Sequence, residues 1–237
     1  MDQLKTFIFD LLFPRRCVGC SSWGMVLCAH CRESFRETTR ICPACERPSI
    51  DGMTHPGCRK STGIDGLVAA VVYQDAVRAV VHAMKYKWVT MLAPIVSQEM
   101  LRRMHAHPLE KLLVSKKGVL IPIPLHKSRE RARGFNQSEI IARHLGQLLA
   151  LQVESDMLTR VQATPPQVAR SGKERRAAMH GAFAVPHPDR CKGKTVLLVD
   201  DVWTTGSTMR EAGRVLKRSG ALEVIGLVFA RSEGRLV

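Results

Sequence analysis

Aromatic side chains are scarce, at 5% of 237 residues, and acids are outnumbered, with 21 Asp and Glu against 36 Lys and Arg. The first shortage leaves little material for stacking a row of nucleobases. The second gives a formal net charge of +15, which suits polyanionic partners such as nucleic acid or phosphorylated small molecules. No apolar run approaches the roughly 18 residues that span a bilayer, so a transmembrane segment is excluded and a soluble chain is expected. A secretory signal is not expected either. The opening segment LKTFIFDLLFP holds Asp10 inside its apolar part and ends at Pro14, with neither a basic start nor a small-residue cleavage site. It reads as a short amphipathic helix packed on the body of a cytoplasmic protein.

Cysteine is nearly absent after residue 58, where only Cys191 remains of the eight. The other seven fall into the pairs Cys17-x2-Cys20, Cys28-x2-Cys31 and Cys42-x2-Cys45, with His55-x2-Cys58 completing a fourth. Disulfides need an oxidising compartment, and nothing here sends the chain to one. A two-residue spacer lets one tight turn present two donors to the same ion, so four pairs can hold one or two structural zinc ions. A segment of about 60 residues with so small a core gains its stability from such metal. Spacing permits consecutive pairs to share an ion, as in two stacked ribbons, and permits an interleaved arrangement equally. His55 is the least secure ligand, and Cys191, in the loop PHPDRCKGK, is a plain residue.

After Gly63 the composition changes. The runs GLVAAVVY, GVLIPIP, TVLLVDD and EVIGLVFA alternate with the amphipathic stretches VRAVVHAMKY, SEIIARHLGQLLA and TMREAGRVLKRSG. Strands separated by helices make a parallel sheet covered on both faces. The expected organisation is a helix and zinc-binding domain over 1–62 and an α/β domain over 63–237.

Ligands of such sheets gather at the carboxyl ends of the strands, where VLLVDDVWTTGSTM lies. VLLV reads as a buried strand, Asp200 and Asp201 emerge at its end, and Thr204, Thr205, Gly206, Ser207 and Thr208 form the turn that opens the next helix. The N–H groups of a helix start and a glycine's close backbone approach suit a phosphate. Paired carboxylates suit the two hydroxyls of a ribose and the water shell of a magnesium ion. After VLIPIP, the loop carrying Lys127, Arg129, Arg131 and Arg133 leads into a helix beginning near Asn136, which suits a pyrophosphate. Trp203 reads as core packing.

VLLVDDVWTTGSTM resembles the phosphoribosyl-pyrophosphate (PRPP) motif of type I phosphoribosyltransferases. With the four metal-binding pairs and PIPLHKSRERARGFNQS, the whole chain is similar to the ComF family of DNA uptake in natural competence. The resemblance implies that Asp200 and Asp201 contact the ribose hydroxyls, and that residues 204–208 hold the 5′-phosphate of PRPP or a related phosphosugar, with magnesium. It makes Lys127, Arg129, Arg133, Gly134, Asn136 and Gln137 the pyrophosphate loop, and places Lys85 and Tyr86 near the ligand. It also makes the Arg- and Lys-rich stretch between Met157 and Phe183 a flexible loop with Gln167, Ser171, Arg175 and Phe183 in matching places. Ala178 stands where the family usually has Asn, and Thr204 where the transferases acting on 6-oxopurines carry an acid. Single-stranded DNA, a competence helicase and DNA-processing proteins are the implied partners. The catalytic alternative is a phosphoribosyltransferase condensing a nitrogenous base with PRPP, its catalytic residues unassigned.

Overall fold

The computed structural model describes residues 15–61, 63–86, 89–105, 118–162 and 179–233. The expected N-terminal helix and the expected flexible-loop residues Gln167, Ser171, Arg175 and Ala178 lie outside the described residues.

The strands β1 (Gly66–Val72), β2 (Gly118–Pro122), β3 (Gln152–Val153), β6 (Thr195–Trp203) and β7 (Glu223–Arg231) form a sheet. Its order is β1-β7-β6-β2-β3, and every pairing is parallel. The long strands are apolar almost throughout because helices cover both faces. One face carries α2 (Asp75–Met84), α3 (Val89–His105) and α5 (Gln137–Leu149), whose Val80, Met100 and Ile141 are sealed from solvent. The other carries α7 (Ser207–Arg218), which buries Met209, Ala212 and Leu216 at helical spacing. A two-stranded antiparallel ribbon of β4 (Thr159–Arg160) and β5 (Phe183–Ala184) lies on that side, followed by α6 (Pro188–Cys191). Cys191 is buried there, beside the Leu216 carbonyl.

The cysteine-rich head, with its short helix α1 (Ala29–Glu33), wraps the exposed edge of β1. Isolated antiparallel bridges join Glu37 to Val71 and Met53 to Gly66, and Val72 N–H donates to the Arg36 carbonyl at 2.9 Å. An edge covered this way offers no free ladder for aggregation. Cys17, Val26, Leu27, Cys31 and Phe35 share an apolar cluster with β1, β7 and α3, while Ile41 packs on the opposite face with α7. The head therefore straddles the sheet.

Two local expectations need correction. Lys127–Arg133 is a helix, α4, where a loop was expected: His126 caps its start by accepting from Ser128 N–H, and Gly134 ends it at φ +82°. The strand holding the acids also runs beyond Val199. On the β7 side its pairing continues to Trp203 opposite Arg231, while on the β2 side it stops at Pro122 opposite Val199.

Candidate functional site

That uneven ending makes the site. From β2 the chain turns to β3 on one side, and from β6 it turns to β7 on the other, so the sheet reverses direction between β2 and β6. Loops leaving adjacent strands in opposite directions open a crevice at their carboxyl ends. A cleft of about 860 Å³ lies there, lined by Ile123 and Leu125 beyond β2, by Asp200, Asp201, Val202, Thr204 and Thr208, and by side chains of α4 and α5.

Both acids are held in place. Ser138 Oγ, in the first turn of α5, donates to Asp200 Oδ1 at 2.8 Å, and Asp201 N–H donates to the same oxygen at 2.9 Å. Gln137 Nε2 donates to Asp201 Oδ2 at 3.4 Å, and Lys85 Nζ sits 3.8 Å from that atom. Arg133 in turn donates to Gln137 Oε1, so a guanidinium, an amide and a carboxylate form a relay across the cleft. Burial, reinforced by the neighbouring Asp201 carboxylate, pushes Asp200 up to about 7. A pair in that condition gains from any group that donates two hydrogen bonds or brings positive charge.

The turn after β6 folds over a buried indole. Gly206, at φ +65°, places its Cα so that a Cβ would fall 2.1 Å from the Trp203 ring. Thr205 Oγ1 and Ser207 Oγ lie 2.9 Å apart, and α7 begins at Ser207, with first-turn N–H groups that have no carbonyl within the helix to donate to. Residues 202–209 line a small hollow beside the acids. Trp203 is therefore packing, and it shapes the turn. Gly206→Ala is expected to destabilise the protein by about 2 kcal/mol or more, through steric overlap and a disfavoured φ together. A chemical melt that matches the parent would contradict this.

The sequence-expected basic loop enters the site selectively. Arg129 and Arg133 line the cleft, whereas Lys127 and Arg131 are exposed on other sides of α4. Gly134 and Asn136 shape the chain around the site: Gly134 ends α4, and the Asn136 side chain caps α5, its Oδ1 accepting from Ser138 N–H while its Nδ2 donates to the Ile123 carbonyl at 3.0 Å. Lys85 and Tyr86 do reach the cleft, with Tyr86 exposed at its rim. Phe183 does not line it, but lies under the Arg160 guanidinium, 5.5 Å from its ring centroid.

Arg160 and Ser138 were missed. Arg160 lines the cleft from β4, and its burial lowers its proton affinity, with Arg129 adding to the effect and Asp200 opposing it. Nothing local in TRVQ marked that arginine, since it reaches the cleft from the separate β4–β5 ribbon, 40 positions before Asp200. Ser138 was in view beside Gln137, but only the fold sets the first turn of α5 against the acids.

In the head, the donor atoms of Cys17, Cys20, Cys28 and Cys31 lie within 4.8 Å of one another, and so do those of Cys42, Cys45, His55 and Cys58. Consecutive pairs thus converge, and the interleaved arrangement is excluded. Four thiolates about 2.3 Å from zinc stand roughly 3.8 Å apart, and Cys20 Sγ and Cys28 Sγ are 3.6 Å apart. Backbone N–H groups of Cys28 and His55 point at Cys17 Sγ and Cys42 Sγ, each at 3.4 Å. His55 Nε2 sits 3.1 Å from the Pro48 carbonyl, and its Nδ1 is 3.5 Å from Cys45 Sγ. With Nε2 donating, the Nδ1 lone pair faces the cluster, the arrangement that orients a metal-binding imidazole. The donor chemistry and spacing fit structural zinc.

Comparison with known proteins agrees with both halves. The family described as phosphoribosyl transferase domain matches residues 132–236, and the one described as double zinc ribbon domain matches residues 8–60. A DNA utilization protein YhgH from Escherichia coli O157:H7 is 31% identical over 207 residues, covering 85% of this chain and 88% of that one. Competence protein ComFC of Bacillus subtilis is 26% identical over 223 residues, covering 87% and 84%. Competence protein F of Haemophilus influenzae is 34% identical over 106 residues, covering 44% and 46%. Among the described residues no helix is long and apolar enough to cross a membrane.

Proposed function

The chain belongs to the ComF family, and from that premise we propose that it binds PRPP with magnesium at the cleft between β2 and β6 and acts in DNA uptake by handling single-stranded DNA. One observation carries this reading: two adjacent carboxylates, a glycine turn opening a helix and a pair of arginines converge on one crevice.

Each group has a role. Asp200 and Asp201 accept from the ribose hydroxyls, held for the purpose by Ser138, Gln137 and Lys85. Thr204, Thr205, Gly206, Ser207 and Thr208 surround the 5′-phosphate with backbone N–H and hydroxyl donors. Arg129, Arg133 and Arg160 face the pyrophosphate, where planar forks match phosphate oxygens. Magnesium supplies neutralisation of the pyrophosphate charge when bound. Cys17, Cys20, Cys28 and Cys31 hold one zinc ion, and Cys42, Cys45, His55 and Cys58 hold the other.

The excess of cations continues over the body, where residues 63–237 contain 27 Lys and Arg against 15 acids. With few aromatics, contact with DNA is mainly to phosphates, and phosphate contacts release counterions. Affinity for a single-stranded oligonucleotide is therefore expected to fall at least about tenfold between 50 and 200 mM salt, as read by mobility shift. Binding that is absent, or indifferent to salt, rejects the DNA part of the reading.

A catalytic reading draws on one further feature. The cleft extends past the acids to Ile123, Leu125 and Val202, an apolar wall against which a nitrogenous base can lie. Release of pyrophosphate from PRPP in the presence of one base from a panel would make the protein a transferase, with positioning and charge stabilisation providing the acceleration.

A further inference from the structure

Arg210 lies on the first turns of α7 and is buried, yet it lines neither the cleft nor the small hollow beside the acids. Its guanidinium reaches three places at once. Nε donates to the Pro43 carbonyl at 2.6 Å, Nη2 to Glu46 Oε1 at 2.6 Å, and Nη1 to the Thr205 carbonyl at 2.8 Å. Its Cζ stands 5.1 Å from the Trp203 ring centroid. Pro43 falls between the metal-binding Cys42 and Cys45, and Glu46 follows directly. Glu46 N–H returns to the Cys42 carbonyl at 2.9 Å, with Glu46 held at φ +62°. That turn and its two cysteines are one closed unit.

At the other end, the carbonyl that Arg210 grips belongs to the peptide joining Thr205 to Gly206. In a planar trans peptide the C=O and N–H point in opposite directions. Holding the carbonyl therefore aims the Gly206 N–H away from Arg210 and fixes the orientation of the first donor of the turn. Trp203 prevents the turn from collapsing inward, since no space for even a Cβ remains between Gly206 and the indole. A fixed three-way fork is a geometry that arginine supplies and lysine does not.

We propose that Arg210 is a positioning residue that ties the second zinc cluster to the phosphate-binding turn, so that metal retention at Cys42, Cys45, His55 and Cys58 is coupled to phosphosugar affinity. The coupling half rests on the phosphosugar reading above, and the positioning half does not. Coupling between two sites is reciprocal: if the metal-bound turn improves ligand binding, bound ligand must retain the metal better by the same factor.

The test uses full-length, zinc-loaded protein together with Glu46→Ala and Arg210→Lys, both of which keep all eight metal-binding side chains. Amide hydrogen exchange of residues 203–209 is measured without ligand. The rate at which a chromogenic chelator extracts zinc is measured with and without saturating ribose 5-phosphate, whose binding is followed by calorimetry. In the parent, ribose 5-phosphate is expected to slow extraction of one of the two ions about tenfold. In both variants the slowing shrinks below about twofold, exchange across 203–209 rises about tenfold, and two zinc ions per chain are retained. Parent-like coupling in Arg210→Lys would show that charge alone suffices and would overturn the positioning role, as would unchanged exchange in the variants. A parent that binds ribose 5-phosphate without slower extraction would overturn the coupling. A parent that binds neither ribose 5-phosphate nor Mg·PRPP would reject the phosphosugar reading and with it the coupling, while the exchange measurement still decides the positioning role.

Discussion

Extracting zinc with a strong chelator is expected to lower the melting temperature of the whole chain by more than about 10 °C, and the parent is expected to melt in one transition. The head has little apolar material of its own, and what it has is committed to the body: Phe35 packs edge-on against Phe229 of β7 with ring centroids 5.9 Å apart, and Cys17 and Cys31 belong to the same cluster. Structural zinc in small domains contributes on the order of 10 kcal/mol or more to folding. In a chain of this size each kcal/mol moves the midpoint by about 2–4 °C. Losing even part of that contribution would uncover the β1 edge and the face under α3. Calorimetry on parent, chelated protein and a Cys42→Ser variant checks this. Two separate transitions in the parent, or a body that melts unchanged after chelation, would show that the head is an independent appendage.

The double change Asp200→Asn with Asp201→Asn is expected to weaken Mg·PRPP binding at least about a hundredfold. Hydrogen bonds to charged groups are worth about 1.5–3 kcal/mol each, and a loss of two such bonds corresponds to roughly two decades or more of affinity. The same site makes a second, opposite forecast for the ligand-free protein. Asp200 is raised to about 7, above the usual carboxylate range, so its protonated form favours the folded state. That stability is fully present below about pH 4 and is lost as pH rises through 7. Asp200→Asn alone is therefore expected to stabilise the free protein at pH 8 relative to the parent, with the difference shrinking towards pH 5. Denaturant titrations at both pH values check the sign. A variant that loses ligand and stability together at pH 8 would mean that the acids are structural.

Much of this arrangement was legible because its signals are local. The strands announced themselves as apolar runs, as strands buried on both faces do. The metal ligands announced themselves by paired spacing, but which pairs share an ion depends on how the head folds back, and only the structure brings Cys17 to Cys31 and Cys42 to Cys58. Helix α4 was hidden because KSRERAR has no apolar stripe; two caps and the chain geometry make it. The continuation of β6 to Trp203 was hidden because charged residues inside a strand look like its end, although pairing with β7 carries on past them. The site residues left unread, Ser138 on α5 and Arg160 on the β4–β5 ribbon, meet Asp200 at the cleft only in the tertiary fold. Arg210 is the extreme case: its partner Pro43 is 167 positions away in sequence, and no periodicity connects an arginine in a helix to a carbonyl in a metal-binding turn.

The most direct measurement is a calorimetric titration of zinc-loaded protein with PRPP in the presence of magnesium at pH 7.5. One binding site per chain, lost when Asp200 and Asp201 are both replaced by Asn, is the expected result. An absence of binding heat in a parent that is folded and carries two zinc ions would contradict the account, because the carboxylate pair and the glycine turn would then hold no phosphosugar.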